Sequence, residues 1–251
     1  MTPTPTTQVS NQEAEKRHAA ATALRWVRSG MVLGLGSGST SAAFITLLGE
    51  KVQAGELQIE ATATSRASEA LARQLNIPLL EPRRGLRFDL TVDGADELDA
   101  QLRLIKGGGG ALLREKVLET ASDYLLIIAD SSKYVRQLGR FPLPLEVVPF
   151  ALPWVLDSLE TLGGAPVVRP NAQLPDGLYR SDQGNLLVDC HFNAIAEPEQ
   201  LALQLQAIPG IVEHGLFLGM AQAAVMARGE QAEVLRPGVA AVDAGAFAEL
   251  P

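Results

Sequence analysis

At 251 residues the chain is long enough to bury a full core, and 47% apolar with 20% charged residues is an ordinary globular balance. A formal net charge of −8 argues against nucleic acid and anionic membrane as partners, and no apolar run reaches the roughly 18–20 residues that a membrane span needs. One cysteine, Cys190, permits no internal disulfide and fits a reducing cytoplasm, while three scattered histidines offer no ligand spacing, so no metal is expected.

The opening MTPTPTTQVS has neither a basic segment nor an apolar one and reads as a flexible arm rather than a signal peptide. Asn11 is placed to cap a helix running to about Arg28, with Ala19, Ala23, Leu24 and Val27 as its apolar stripe and Gly30 as its stop. Met31–Gly36 reads as a strand that feeds GLGSGST (34–40) and then a helix over Thr40–Leu48. Ile59–Thr64 is a second strand, Ser68–Leu75 a helix, and Phe88–Val92 a third strand running directly into Asp93. The glycines of 107–110 lead into a helix through about Thr120, and Tyr124–Ala129, apolar on both faces, is a buried parallel strand.

This alternation predicts an α/β fold with a Rossmann-like parallel sheet. Residues 36–40, 93–97 and 130–133 each follow a strand, so three polar clusters should meet in one crevice beyond the strand ends. After Gly139 the texture changes: prolines crowd 142–153, and short strands over 167–169, 178–180 and 185–192 precede a helix over 198–207. The expected organisation is therefore a catalytic domain from 1–139 and 209–251, with a smaller α+β (ferredoxin-like) domain inserted at 140–208. The Ala-rich tail from Pro237 is expected to be loosely held.

The densest chemistry lies in Asp93–Lys116, DGADELDAQLRLIKGGGGALLREK. Lys106 precedes four glycines, whose ordering costs roughly 0.5–1 kcal/mol each relative to alanine in regular structure. A surface loop needs no such run, so the backbone is expected to wrap a ligand and donate N–H groups to an oxygen that becomes negative, with Lys106 beside it. Asp93 and Asp96 read as a solvated acidic turn, a helix cap, a metal pair or substrate ligands, and the adjacent Lys106 disfavours the metal. Of Arg114, Glu115 and Lys116 only one side chain can face the crevice. The stretch reads as an ordinary charged helix face or, if its carboxylate faces the crevice, as a source of a general base, with Arg114 and Lys116 as surface charges. GLGSGST lacks the third glycine of a dinucleotide loop and the lysine of a Walker loop, so it reads equally as an anion cradle or as a tight turn with capping serines. Lys133, and more weakly Lys16, are candidate phosphate contacts.

Taken in order, GLGSGST, DGADE, IKGGGGALLREK, ADSSK, PLEVVPFA, PVVR and IPGIVEHGLF resemble the A-type ribose-5-phosphate isomerases over about residues 16–217, and DGADE with KGGGGALLREK is highly specific. The resemblance implies that Glu115 is the proton acceptor, with Asp93, Asp96 and Lys106 in the catalytic set. It implies sugar-phosphate binding by Lys16, Ser37, Gly38, Ser39, Thr40, Asp93, Gly94, Ala95, Asp96, Lys106, Gly107, Gly108, Gly109 and Lys133. It further implies a cytoplasmic homo-oligomer, dimer or tetramer, that needs no cofactor and interconverts ribose 5-phosphate and ribulose 5-phosphate through an enediolate. Two positions depart from the family pattern, Ser37 for a common threonine and His214 for a frequent asparagine, neither expected to touch the acid–base set. The rival functions are another sugar-phosphate enzyme, a deaminase or lactonase, and a non-catalytic sugar-phosphate sensor.

Overall fold

The computed structural model describes residues 5–250, with side chains from Asn11 onward. The elements in chain order are α1 (Pro5–Leu24), β1 (Val32–Leu35), α2 (Gly38–Gln53), β2 (Glu60–Ala63), α3 (Arg66–Gln74), β3 (Leu90–Asp93), β4 (Glu97–Leu98) and β5 (Leu104–Ile105). They continue with α4 (Leu112–Thr120), β6 (Leu125–Asp130), β7 (Leu143–Val147), α5 (Leu152–Thr161), β8 (Ala165–Val168), β9 (Leu186–His191) and α6 (Pro198–Gln206). The last strands are β10 (Ile211–His214), β11 (Leu216–Phe217), β12 (Ala223–Arg228), β13 (Gln231–Arg236) and β14 (Val239–Asp243). No helix among the described residues is long and apolar enough to cross a membrane.

A seven-stranded sheet in the order β14-β13-β12-β6-β3-β1-β2 forms the main layer. Its pairings are parallel from β2 through β12 and antiparallel at β13 and β14. Every residue of β6 is buried. Leu126 and Ile128 pack in a core shared with α1, α2 and α3, whereas Leu125, Ile127 and Ala129 pack in a second core with Leu112 of α4. This two-sided burial is what the continuous apolar run predicts. Because β1 pairs with β2 on one side and β3 on the other, chain order reverses at β1. The segments after β1 and β3 therefore open at a switch point, where α/β sheets bind ligands.

A four-stranded antiparallel sheet, β10-β7-β9-β8, encloses its own core with α5 and α6, and a small sheet, β11-β5-β4, lies between the two cores. Cys190 is fully buried in the four-stranded layer, where burial pushes its thiol up to about 12. The hydrogen bonding of this layer runs to His214, past the return expected at 209.

Several local expectations differ from the structure. Helix α1 starts at Pro5, so Asn11 lies inside it, and it ends at Leu24 rather than Arg28; residues 1–4 of the expected arm lie outside the described residues. Residues 178–180 make only isolated bridges. The tail is ordered: β14 pairs with β13, Phe247 and Leu250 pack on the main core, and Trp26 Nε1 donates to the Phe247 carbonyl at 3.4 Å.

Candidate active site

Helix α2 begins where β1 ends, and its start is unusual in how the cap is used. Ser37 sits at the cap position in extended conformation, yet its hydroxyl makes no capping bond and instead pairs with Thr64 Oγ1 at 2.6 Å. Helix α3 differs, since Ser65 accepts from Ser68 N in the ordinary way. The first N–H groups of α2 thus keep their donors for an outside acceptor, with the positive end of the helix dipole behind them. Lys16 of α1 and Lys133, just past β6, border the same cavity. Lys16 is tied to Glu13 at 2.7 Å on the exposed side.

The wall opposite is built from buried charge. Lys106, 2% exposed, lies 2.9 Å from Asp93 Oδ2, 3.2 Å from Glu119 Oε1 and 3.7 Å from Glu115 Oε2. Its directed hydrogen bond goes to the Gly94 carbonyl at 2.6 Å, whereas those carboxylate oxygens have no aligned donor and meet it as charges. Burial works against the ammonium, but Asp93, Glu115 and Glu119 together outweigh it and hold its affinity for the proton well above the ordinary lysine value.

Asp93 is fully buried and does not border the cavity. One of its oxygens accepts from Ser37 N at 2.9 Å, Ser41 Oγ at 2.9 Å and Gly94 N at 2.7 Å, and the other faces Lys106. Gly36 makes this cradle possible, because a Cβ there would sit 2.0 Å from Asp93 Oδ1 and 2.6 Å from Asp93 Cα. Asp96 does border the cavity. One of its oxygens accepts from Gly108 N at 2.7 Å, and burial raises its pKa against the pull of that bond, Lys133, Lys106 and Arg169.

Glu115 reaches the cavity from the first turn of α4. It is 4% exposed, and burial raises its pKa to about 8, with Lys106 pulling it down and Asp93 and Asp96 pushing it further up. Glu119, one turn later on the same face, is raised well above the usual carboxylate range, again mainly by burial. Three carboxylates therefore surround one lysine, and burial raises the pKa of both that stand on α4.

One cavity of about 110 Å³ is lined by every residue expected to bind substrate except Asp93: Lys16, the 37–40 segment, 94–96, 106–109 and Lys133, together with Glu115. Arg114 and Lys116 are not surface charges as expected. Arg114 donates to Asp182 at 3.4 Å and to the Ala63 carbonyl at 3.3 Å. Lys116 is held by Glu213 at 2.5 Å and the His214 carbonyl at 2.7 Å, above the Phe217 ring. Of the two departing positions, Ser37 does reach the acid–base set, through its backbone N–H on Asp93. His214 is buried beside Lys116, and burial and then that ammonium lower its pKa to about 4. The residue that the sequence reading missed is Glu119. Its signal was present, since Glu115 and Glu119 stand four apart, on one helical face with Leu112 and Leu118.

The sequence profile of ribose 5-phosphate isomerase A (phosphoriboisomerase A) matches residues 60–231. A ribose-5-phosphate isomerase A of Sphingopyxis alaskensis is 48% identical over 92% of this chain and 100% of its own length. A D-ribose-5-phosphate isomerase solved in complex with phospho-erythronic acid superposes with a TM-score of 0.87 and 36% identity, covering 90% of this chain and 99% of that one. The ribose 5-phosphate isomerase A of Methanocaldococcus jannaschii gives a TM-score of 0.85 at 35% identity, over 89% and 99% of the two chains. On matches of this extent and identity, the chain belongs to the ribose 5-phosphate isomerase A family.

Proposed function

We propose that this chain interconverts D-ribose 5-phosphate and D-ribulose 5-phosphate, with Glu115 as the base. The observation that carries this reading is one cavity with a buried, high-pKa carboxylate on one wall and an uncapped helix N-terminus flanked by two lysines on another. The second wall suits a phosphate dianion, which gains from oriented N–H groups and local cations even though the whole chain is negative. The first suits proton abstraction next to a carbonyl, because a base with a pKa near the working pH both ionises and holds a proton well.

In the open-chain aldose, Glu115 takes the hydrogen from C2. The C–H electron pair becomes the C1–C2 double bond, and the carbonyl pair moves to O1, giving an enediolate. Glu115 then returns the proton to C1, and the O2 proton leaves as the C2 carbonyl forms. Asp96, which borders the cavity and has one oxygen outside its bond to Gly108, is placed to carry protons between O1 and O2. Asp93 serves differently, because its oxygens are already engaged by three donors and Lys106. It fixes Lys106, and Lys106 in turn favours the ionised form of Glu115.

Incubation with ribose 5-phosphate in D₂O, followed by NMR, tests the reading. Ribulose 5-phosphate with deuterium at C1 is the expected product, and a folded protein that yields no ketose refutes it. The reading extends to a place in the non-oxidative pentose phosphate pathway, in the cytoplasm, and to a catalytic domain interrupted by a small domain that starts at 140 and, with β10 in its sheet, runs past 208 to His214. A homo-oligomer is part of the same proposal. Phe150 and Trp154, exposed at 82% and 60% on the four-stranded layer, support it.

A further inference from the structure

The glycine loop is held from outside the cavity by one side chain of the four-stranded layer. Arg169, immediately after β8, donates from Nη1 to the Gly108 carbonyl at 3.0 Å, and from Nη1 and Nη2 to the Gly107 carbonyl at 3.4 Å. Asp189 fixes the guanidinium with a fork of 2.8 and 2.5 Å, and the Tyr179 ring lies 5.5 Å from it. Tyr179 also donates its hydroxyl to the Gly109 carbonyl at 3.1 Å. Neither Arg169 nor Tyr179 borders the cavity.

In a trans peptide the carbonyl and the N–H point in opposite directions. The peptide joining Gly107 to Gly108 shows which way that is: its carbonyl faces Arg169, and its N–H meets Asp96, a cavity residue. The next peptide is held the same way, with the Gly108 carbonyl on Arg169. Its N–H, that of Gly109, finds no acceptor among the described residues, and Gly109 borders the cavity. A cation on the carbonyl also polarises the peptide and strengthens its N–H as a donor.

We propose that Arg169 is a positioning residue for the isomerisation, holding the Gly107 and Gly108 carbonyls so that the Gly109 N–H is aimed at the oxygen that becomes negative in the enediolate. The proposal rests on the isomerase reading above. It gives the four-stranded layer a part in the chemistry through a grip on the loop, without contact with substrate. A lysine cannot replace the fork, since one ammonium does not reproduce two planar donors on two carbonyls and a bidentate bond to Asp189.

The test compares wild type, Arg169→Ala, Arg169→Lys and Tyr179→Phe by steady-state kinetics on ribose 5-phosphate and by affinity for phospho-erythronic acid, whose planar anionic carboxylate mimics the charge and shape of the enediolate. Loss of an oxyanion donor costs about 10²–10³ in kcat, and loss of its clamp should cost about 10–100-fold. In Arg169→Ala we expect that fall in kcat with KM changed less than about threefold, weaker binding of phospho-erythronic acid, and partial recovery of kcat on adding millimolar guanidinium. Arg169→Lys and Tyr179→Phe should fall between it and wild type, and they carry the test if Arg169→Ala does not fold. An active wild type with folded variants whose kcat is within twofold overturns the clamp alone. So does a loss confined to KM, or one that guanidinium leaves untouched in a protein with a lowered melting temperature. An inactive wild type overturns the isomerase reading itself, and the clamp with it.

Discussion

Replacing Glu115 by glutamine should abolish turnover and stabilise the fold at the same time. The folded-state pKa is about 8 against an ordinary value of 4.5. Below pH 4.5 both folded and unfolded chains hold the proton, and the residue leaves stability unchanged with pH. As pH rises, the unfolded chain releases the proton while the folded one keeps it. Stability therefore falls by about 1.4 kcal/mol per unit until the pH passes about 8. At pH 7 the accumulated loss is about 3 kcal/mol, and at pH 5 below about 1 kcal/mol. Glutamine cannot ionise and matches the neutral acid in shape, so Glu115→Gln escapes the loss. Lys106 does not become an orphan, because Asp93 at 2.9 Å and Glu119 at 3.2 Å still face it. For a chain of this size about 3 kcal/mol is a rise of roughly 6–12 °C in melting temperature. Urea and thermal melts of wild type and variant at pH 5, 6, 7 and 8 are the assay. A variant less stable than wild type at pH 7, or a difference that does not grow from pH 5 to 8, refutes the reasoning.

The same ionisation should set the rate. Below pH 8, kcat/KM should fall about tenfold per pH unit, since only ionised Glu115 accepts the C2 proton; a profile flat from pH 6 to 8 contradicts that role. Gly36→Ala puts a methyl 2.0 Å from Asp93 Oδ1 and 2.6 Å from its Cα, so the backbone must move. A loss of about 1–3 kcal/mol in urea melts, with most of the activity, is expected. Truncation after Pro237 removes β14 along with Phe247 and Leu250, both packed on the main core. Denaturant unfolding should show a loss of about 2–4 kcal/mol, whereas a loosely held tail would show none.

What could be read from the sequence is what glycine, turns and strand ends encode locally. The segments 36–40, 93–97 and 106–110 were visible because each breaks a strand or opens a helix with residues that a core would not select, and all three meet in the cavity. What could not be read depends on distant partners. Pro144 hid β7, an inner strand, since proline normally argues against one. It fits because it lies at the strand's start, with its carbonyl accepting from Gly215 N at 2.8 Å. Alanine-rich β12 and polar β13 carry weak strand propensity and are strands because β6 and each other complete their ladders. Arg-Glu-Lys at 114–116 resembles any charged helix face. Lys116 is internal only because Glu213, 97 positions later, and Phe217 come over it. Nor does the DGADE turn by itself disclose that Asp93 points into the protein, because its three donors come from 37, 41 and 94.

Glu119 bears on how the site balances its charge. Asp93, Glu115 and Glu119 surround a single ammonium, and three full negative charges at that depth would be strongly unfavourable. The environments separate them. Asp93 accepts three N–H or O–H donors on one oxygen and faces Lys106 with the other. Neither oxygen of Glu119 has an aligned donor, and burial drives its pKa well up, which favours its neutral form. Glu115 falls between them, buried but open to the cavity. It is the member of the group whose proton can leave and return near neutral pH. The arrangement tunes one carboxylate by setting two others beside the same lysine, one engaged by three donors and one with none. The base of the proposed reaction is thus defined by its neighbours as much as by its own position.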